Sequence, residues 1–107
     1  MTLLTLLIIQ NNADVYADVG GPCTEKGKYH GKYTGWIMLN EDRWSPVLNT
    51  EPVYDTAKEA KNVMLKLIEY VKNIDLPGMG ELLPPEVGET INDIIFAAKN
   101  KTIGELK

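Results

Sequence analysis

The chain has 107 residues, 44% of them hydrophobic and 24% charged, and its 15 acidic and 11 basic side chains give a formal charge of −4. This length indicates a single domain, and the apolar fraction excludes a disordered chain. The single cysteine, Cys23, excludes an intramolecular disulfide, and the single histidine, His30, excludes a multi-histidine metal site. We therefore expect no metal and no cofactor, and we favour a protein that is not an enzyme.

The N-terminal segment 3–9 is an apolar run that ends at the polar residues 10–12. A secretory signal peptide begins with basic residues, but no lysine or arginine precedes Lys26. The run is also too short to cross a bilayer as a helix. A short apolar run next to turn residues is typical of a buried strand. We therefore predict a strand here, in a cytoplasmic protein that does not bind a membrane.

Three further strands are expected before residue 50. Alternating apolar and polar residues over 15–19 predict a half-exposed strand, which ends at Gly20-Gly21-Pro22 because such residues do not sustain a strand ladder. A loop over 23–31 leads to a strand rich in aromatic and branched residues over 33–39. A turn at 40–42 then leads to its hairpin partner over 43–48, whose proline favours a sheet edge or a bulge.

Two helices are predicted in the second half of the chain. Thr56 and Glu59 have the spacing of a capping box, and apolar residues three and four apart follow, which predicts an amphipathic helix over 56–73. The second helix begins at Pro84-Pro85-Glu86, where proline and glutamate suit a first helical turn, and continues to about residue 100.

These elements predict an α+β fold in which a small antiparallel sheet of about four strands packs against one amphipathic helix. The C-terminal helix packs either in cis or on a partner chain. The helix start over 55–60 is similar to that of HicB-like antitoxin domains over about six residues, mostly the capping box, and it implies nothing about function. The single domain comprises a β-rich part (1–50), the main helix (55–73), a Pro/Gly linker (74–84) and a C-terminal helical segment (85–107).

The most unusual motif is a tandem tetrapeptide, Gly27-Lys28-Tyr29-His30 followed by Gly31-Lys32-Tyr33-Thr34. Lysines beside aromatic rings can bind a phosphate or a carboxylate and stack on a ring. The alternative, which we favour, is a Gly-rich hairpin whose tyrosines pack on the sheet and whose lysines stay in water. The candidate ligand-binding residues are Lys28, Tyr29, His30, Lys32, Tyr33 and Trp36.

Other chemistry-bearing residues have simple structural interpretations. Cys23 and His30 could form a nucleophile and base on the loop, although nothing in their spacing requires it. Asp14 and Asp18 share a strand face and could bind a cation, but such a pattern is more often the solvated face of an antiparallel sheet.

Trp36 and Trp44 lie eight residues apart across the 40–42 turn. A hairpin centred on that turn would pair them across its two strands. If both pointed outward instead, they would form an exposed aromatic patch for a partner.

We predict a non-enzymatic interaction module that self-associates. Its expected partner is a second copy of the chain, in a homodimer, or another protein. The alternative is a regulator that binds nucleic acid or an anionic ligand through the basic aromatic loop 26–36. The excess of acidic over basic side chains argues against a duplex nucleic-acid binder. A third hypothesis is a small enzyme that uses Cys23 and His30.

Overall fold

The computed structural model describes residues 2–40 and 45–100, and the side chains as far as residue 96. This part of the chain has an α+β fold with a three-stranded antiparallel sheet in the order β1-β2-β3 and three helices. The elements are α1 (Leu3–Gln10), β1 (Val15–Gly20), β2 (Thr34–Leu39), β3 (Leu48–Asn49), α2 (Ala57–Asn73) and α3 (Pro85–Asn100).

The N-terminal apolar run is a helix, so the strand predicted over 3–9, and with it the expected fourth strand, is wrong. Thr2 caps the helix, and its Oγ1 accepts a hydrogen bond from Thr5 N at 3.2 Å. Leu6 and Ile9 are fully buried in the core. The run is apolar on all sides, so it has no helical period that would distinguish it from a buried strand.

Gln10 fixes α1 against the end of α2. Its Nε2 donates to Val71 O at 2.9 Å and to Ile74 O at 2.7 Å. These carbonyls belong to the last turn of α2 and the residue after it, where carbonyl groups have no donor within the helix. One side chain therefore both satisfies orphan acceptors and sets the position of the N-terminal helix.

The sheet joins β1 to β2 along their whole length, from Val15 opposite Leu39 to Gly20 opposite Thr34. β3 has only two residues, and it lies at the sheet edge as its nearby proline, Pro46, favours. The β2–β3 register pairs Trp36 with Asn49. The predicted pair of Trp36 with Trp44 involves a residue outside the described part of the chain, as does most of the predicted 40–42 turn.

The main helix is as predicted. Thr56 Oγ1 accepts from Glu59 N at 3.0 Å, and Glu59 Oε1 accepts from Asp55 N at 3.0 Å, one residue before the expected cap amide. Its buried face consists of Ala60, Val63, Met64, Leu67 and Val71.

α2 lies close to the sheet at Gly35. A Cβ at this glycine would be 2.8 Å from Met64 Cγ, so the close approach of helix and strand requires a residue without a side chain.

The C-terminal helix packs in cis, against α2 of the same chain. Val87 and Ile91 belong to the core cluster. The buried Tyr54 hydroxyl donates to Ile95 O at 2.6 Å, which ties α3 to the segment before α2. The linker over 74–84 is not helical and has its own turn, in which Glu81 Oε1 accepts from Gly78 N at 2.9 Å.

Candidate functional site

The sheet has two faces with different surroundings. α2 packs against β1 and β2 on one face, which we call the covered face. Side chains alternate along a strand, so the remaining residues of these strands point to the opposite face. We call that surface the open face; its residues are Tyr16, Asp18, Gly20, Thr34, Trp36, Met38 and Asn49.

Trp36 is central on the open face. It lies between Asp18 on β1 and Asn49 on β3 in the register of the sheet. A Cβ on Gly20 would be 2.5 Å from Trp36 Cζ2 and 2.9 Å from Cε2, so the indole fills the space that this glycine leaves empty. Trp36 as a whole residue is half-buried.

The free edge of β1 is the second feature. Asp14 O accepts from Asn40 N at 3.2 Å, which continues the β1–β2 register by one pair. Hydrogen-bonded pairs alternate in an antiparallel ladder, so the backbone groups of Val15, Ala17 and Val19 point away from β2. We call this side the outer edge of β1.

The outer edge is largely unpaired. Val19 N donates to the carboxylate of Asp18 at 2.9 Å, and within residues 2–40 and 45–100 no other hydrogen bond occupies the edge. β1 contains no lysine and no proline, two of the residues with which sheet edges are usually protected.

The basic loop, which we define as residues 23–33, is folded back on itself. Cys23 N donates to Lys32 O at 2.8 Å, and Gly31 N donates to Cys23 O at 2.9 Å, so the two ends pair like strands. At the tip, His30 N donates to Gly27 O at 3.2 Å, and Gly27 and Gly31 have positive φ. The hairpin interpretation of this segment thus agrees with its backbone.

Acidic residues from the segment before α2 contact the basic loop. Tyr29 Oη donates to Glu51 Oε1 at 3.0 Å. Lys32 Nζ forms an ion pair with Asp55 Oδ1 at the protein surface. Solvent screening makes such an exposed pair weak, so it orients the loop more than it stabilises the fold.

The six predicted ligand-binding residues do not share one surface. Lys28 and His30 are exposed at the loop tip, and Lys28 Nζ is 5.3 Å from the Tyr29 ring centroid. Tyr33 packs against the core beneath the sheet, whereas Trp36 lies on the open face. The structure brings Lys28 together with Tyr29, and it separates Tyr33 from Trp36.

The remaining candidate residues are also placed. Cys23 is half-buried at the loop base, and His30 is exposed near the tip. Asp14 is exposed before β1 begins, whereas Asp18 lies in β1 beside Trp36. Among the described residues, no group of three His, Cys, Asp or Glu side chains is arranged to hold a metal ion.

Tyr54 is the buried titratable group of the core. Burial raises the pKa of its hydroxyl from 10.0 to about 12; a hydrogen bond with Thr50 opposes this rise, and the Glu59 carboxylate adds to it. The hydroxyl is a donor to a helix carbonyl, so its role is structural.

An open groove of about 420 Å³ lies beside α1. Its lining is Leu4, Leu7 and Ile8 of α1, Asn11 and Asn12 after this helix, and Met79 of the linker. The basic loop contributes nothing to its lining. Within the described residues, no helix has the length and apolar content needed to cross a membrane.

Sequence reasoning missed two parts of this arrangement. Asn49, beside Trp36, and Glu51, which binds Tyr29, come from a segment that the sequence places only loosely. Their proximity depends on the β2–β3 register, which no local pattern encodes. A comparison with known proteins finds no matching family model, no similar curated protein and no similar solved structure.

Proposed function

We propose that this protein is a non-enzymatic interaction module that self-associates through the outer edge of β1. The observation that carries the proposal is the row of backbone groups at Val15, Ala17 and Val19, which face away from β2. Unpaired edges of this kind are templates for a further strand. A second copy of β1 is a strand of matching length and alternation.

The pairing has one favoured register. A two-fold axis opposes identical surfaces, and the outer-edge groups belong to odd-numbered residues. Pairing Ala17 with the partner's Ala17 places Val15 opposite the partner's Val19. It also places Tyr16, rather than a second aspartate, opposite the partner's Asp18. Both α2 helices then lie on the same side of a six-stranded sheet.

The resulting dimer is expected to be weak. The register forms about six backbone hydrogen bonds, two for each of three residue pairs. Val19 N must exchange its bond to Asp18 for one to the partner's Val15. Asp18 thus competes with self-association, and the dimer depends on protein concentration.

A charge test at Tyr16 distinguishes this register from other contacts. Tyr16→Glu places a carboxylate opposite the partner's Asp18, and Tyr16→Lys places an ammonium there. By symmetry each effect occurs twice. Both variants remove the same ring, so the difference between them isolates the charge across the interface.

We expect sedimentation equilibrium to show several-fold weaker dimerisation for Tyr16→Glu than for Tyr16→Lys, with the difference shrinking as salt is added. Leu65→Glu and Leu65→Lys on the exposed side of α2 are the matched controls and should not differ. A wild-type protein that stays monomeric at millimolar concentration, or equal behaviour of the two Tyr16 variants, overturns the proposal.

A second candidate function is the binding of a single-stranded nucleic acid or another anion at the basic loop. The observation that favours it is the exposed tip, where Lys28 lies over the Tyr29 ring and Lys26 is also exposed. Of the six predicted ligand-binding residues, Lys28, Tyr29 and His30 lie at this tip, whereas Tyr33 and Trp36 point to opposite faces of the sheet. Glu51 and Asp55 at the loop base oppose it, because they already engage Tyr29 and Lys32.

Titration with a labelled oligothymidylate at several salt concentrations tests this candidate. If it is correct, affinity falls steeply with salt and falls further in Lys28→Ala, whereas Lys61→Ala on α2 leaves it unchanged. Absence of binding at low salt, or an affinity that salt does not change, eliminates it.

A further inference from the structure

We propose that the open face binds an arginine side chain of a partner protein, with Trp36, Asp18 and Asn49 as the recognition residues. The inference goes beyond the proposed self-association, because it gives the module a second binding surface and a partner other than a copy of this chain. It uses the open face rather than the outer edge of β1, so the two can be tested separately.

The three residues lie side by side across the sheet. Trp36 is opposite Asp18 on one side and opposite Asn49 on the other, and all three side chains point to the same face. Directly opposite residues in an antiparallel sheet have Cβ atoms about 4.5–5.5 Å apart. The indole is therefore next to the carboxylate on one side and next to the carboxamide on the other.

The chemistry of the three groups suits a cation. The indole offers a π-face, the Asp18 carboxylate a negative charge and the Asn49 carboxamide an acceptor oxygen. Asp18 Oδ1 accepts from Val19 N, which holds the carboxylate on the strand, and Oδ2 is a second acceptor of the same carboxylate. A planar guanidinium can stack on an indole while it donates to a carboxylate, which an ammonium does less well.

The charge on this surface selects the same class of partner. Among the described residues of the open face, Asp18 is the charged side chain, and the lysines whose side chains are described lie in the basic loop and on α2. The chain as a whole has a net charge of −4. An anionic ligand would be repelled by this face, whereas an arginine-bearing segment is complementary to it.

Gly20 determines the position of the Trp36 ring. The Trp36 ring fits over this glycine, where any side chain would displace it. The ring is thus supported by backbone before a ligand arrives, so little side-chain entropy is lost on binding.

Binding of a fluorescein-labelled Gly-Ser-Arg-Ser-Gly peptide, followed by anisotropy, tests the proposal. A peptide with citrulline in place of arginine has nearly the same shape without the charge. We expect the arginine peptide to bind several-fold more tightly than the citrulline peptide. Asp18→Asn keeps an acceptor for Val19 N and should reduce affinity for the arginine peptide by about three- to tenfold.

Variants at Trp36 test the ring itself. Trp36→Leu should weaken binding about two- to fivefold, and Trp36→Phe should retain part of it because a ring remains. Asp75→Asn, at an exposed acid of the linker, is the control for net charge and should have no effect. Circular dichroism confirms that each variant is folded before its affinity is compared.

Two results overturn the inference: equal affinities for the arginine and citrulline peptides, or equal losses in Asp18→Asn and Asp75→Asn. Sedimentation of the same samples reports on the proposed function independently. If the protein is monomeric and binds the arginine peptide through Asp18, the proposed dimer is overturned and the arginine site is supported. If the protein dimerises but binds both peptides equally, the dimer is supported and the arginine site is overturned.

Discussion

The covered and open faces of the sheet are built from the same two strands, residue by residue in alternation, yet they have different compositions. On the covered face, Ala17 and Ile37 are 6% and 0% exposed and contact the core. On the open face, Tyr16, Asp18 and Trp36 are half-buried, although Met38 near the end of β2 is only 3% exposed. The contrast is therefore sharpest at the centre of the sheet, where Ala17 and Ile37 are buried under α2 and Asp18 and Trp36 are not.

The open face also has polar groups where a core would not tolerate them. Asp18 and Asn49 flank Trp36 and keep their access to solvent or a ligand. Burying such groups without partners costs several kcal/mol, so an arrangement of this kind persists only at a surface. One face thus packs under α2, whereas the other keeps polar groups at the protein surface.

Adjacent residues of β2 give the sharpest test of this contrast. Ile37→Ala leaves a cavity under α2 and should reduce the free energy of unfolding by about 2–5 kcal/mol. Trp36→Leu, one residue away on the open face, should cost less than half as much, although it removes more atoms. Urea unfolding with unchanged m-values measures both. Equal costs would mean that the open face is as firmly packed as the covered one.

Tyr54 extends the contrast to pH, because its buried hydroxyl ties α3 to the covered side. The pKa of Tyr54 in the folded protein, about 12, lies above the unfolded value of 10.0, so the folded state holds the proton more tightly. The resulting stability is fully present below pH 10 and is lost as pH rises towards 12.

Between pH 10 and 12 the wild type should therefore lose about 2–3 kcal/mol more of its free energy of unfolding than Tyr54→Phe. Every other ionisable group is common to the two proteins, so its contribution cancels in the comparison. Tyr70→Phe, on α2, should follow the wild type. Parallel pH profiles for wild type and Tyr54→Phe would contradict this account.

The helices after residue 55 could be predicted because their signals are local. Thr56 and Glu59 set the start of α2, apolar residues every three or four positions set its buried face, and prolines set the start of α3. β1 and β2 were predictable for the same reason, from alternation and from the turn residues at their ends. The N-terminal helix was not, since a uniformly apolar segment has no period, and its packing on α2 decides its structure.

The candidate site was less accessible to sequence reasoning. Tyr33 and Trp36 are an odd number of residues apart in an extended segment, so strand alternation alone puts them on opposite faces. That signal was available. The proximity of Asp18, Trp36 and Asn49 could not be predicted, because it depends on two strand registers that are set by packing against α2.

Gly35 on the covered face and Gly20 on the open face allow the addition of one methyl group to be compared on the two faces. A Cβ at Gly35 would be 2.8–2.9 Å from three atoms of the fully buried Met64, so Gly35→Ala must displace core atoms and should cost about 1–3 kcal/mol. A Cβ at Gly20 would meet the Trp36 ring even more closely, at 2.5 Å.

The Trp36 ring can move outward, however, because it lies on the open face. Gly20→Ala should therefore change the free energy of unfolding by less than about 1 kcal/mol, since the gain from restricting the unfolded chain offsets part of the lost contact. In a Trp44→Phe background, the emission of Trp36 should shift to longer wavelength in Gly20→Ala and stay unchanged in Gly35→Ala. A larger loss of stability at Gly20 than at Gly35 would show that the indole is locked in place, and the open face would then be part of the core.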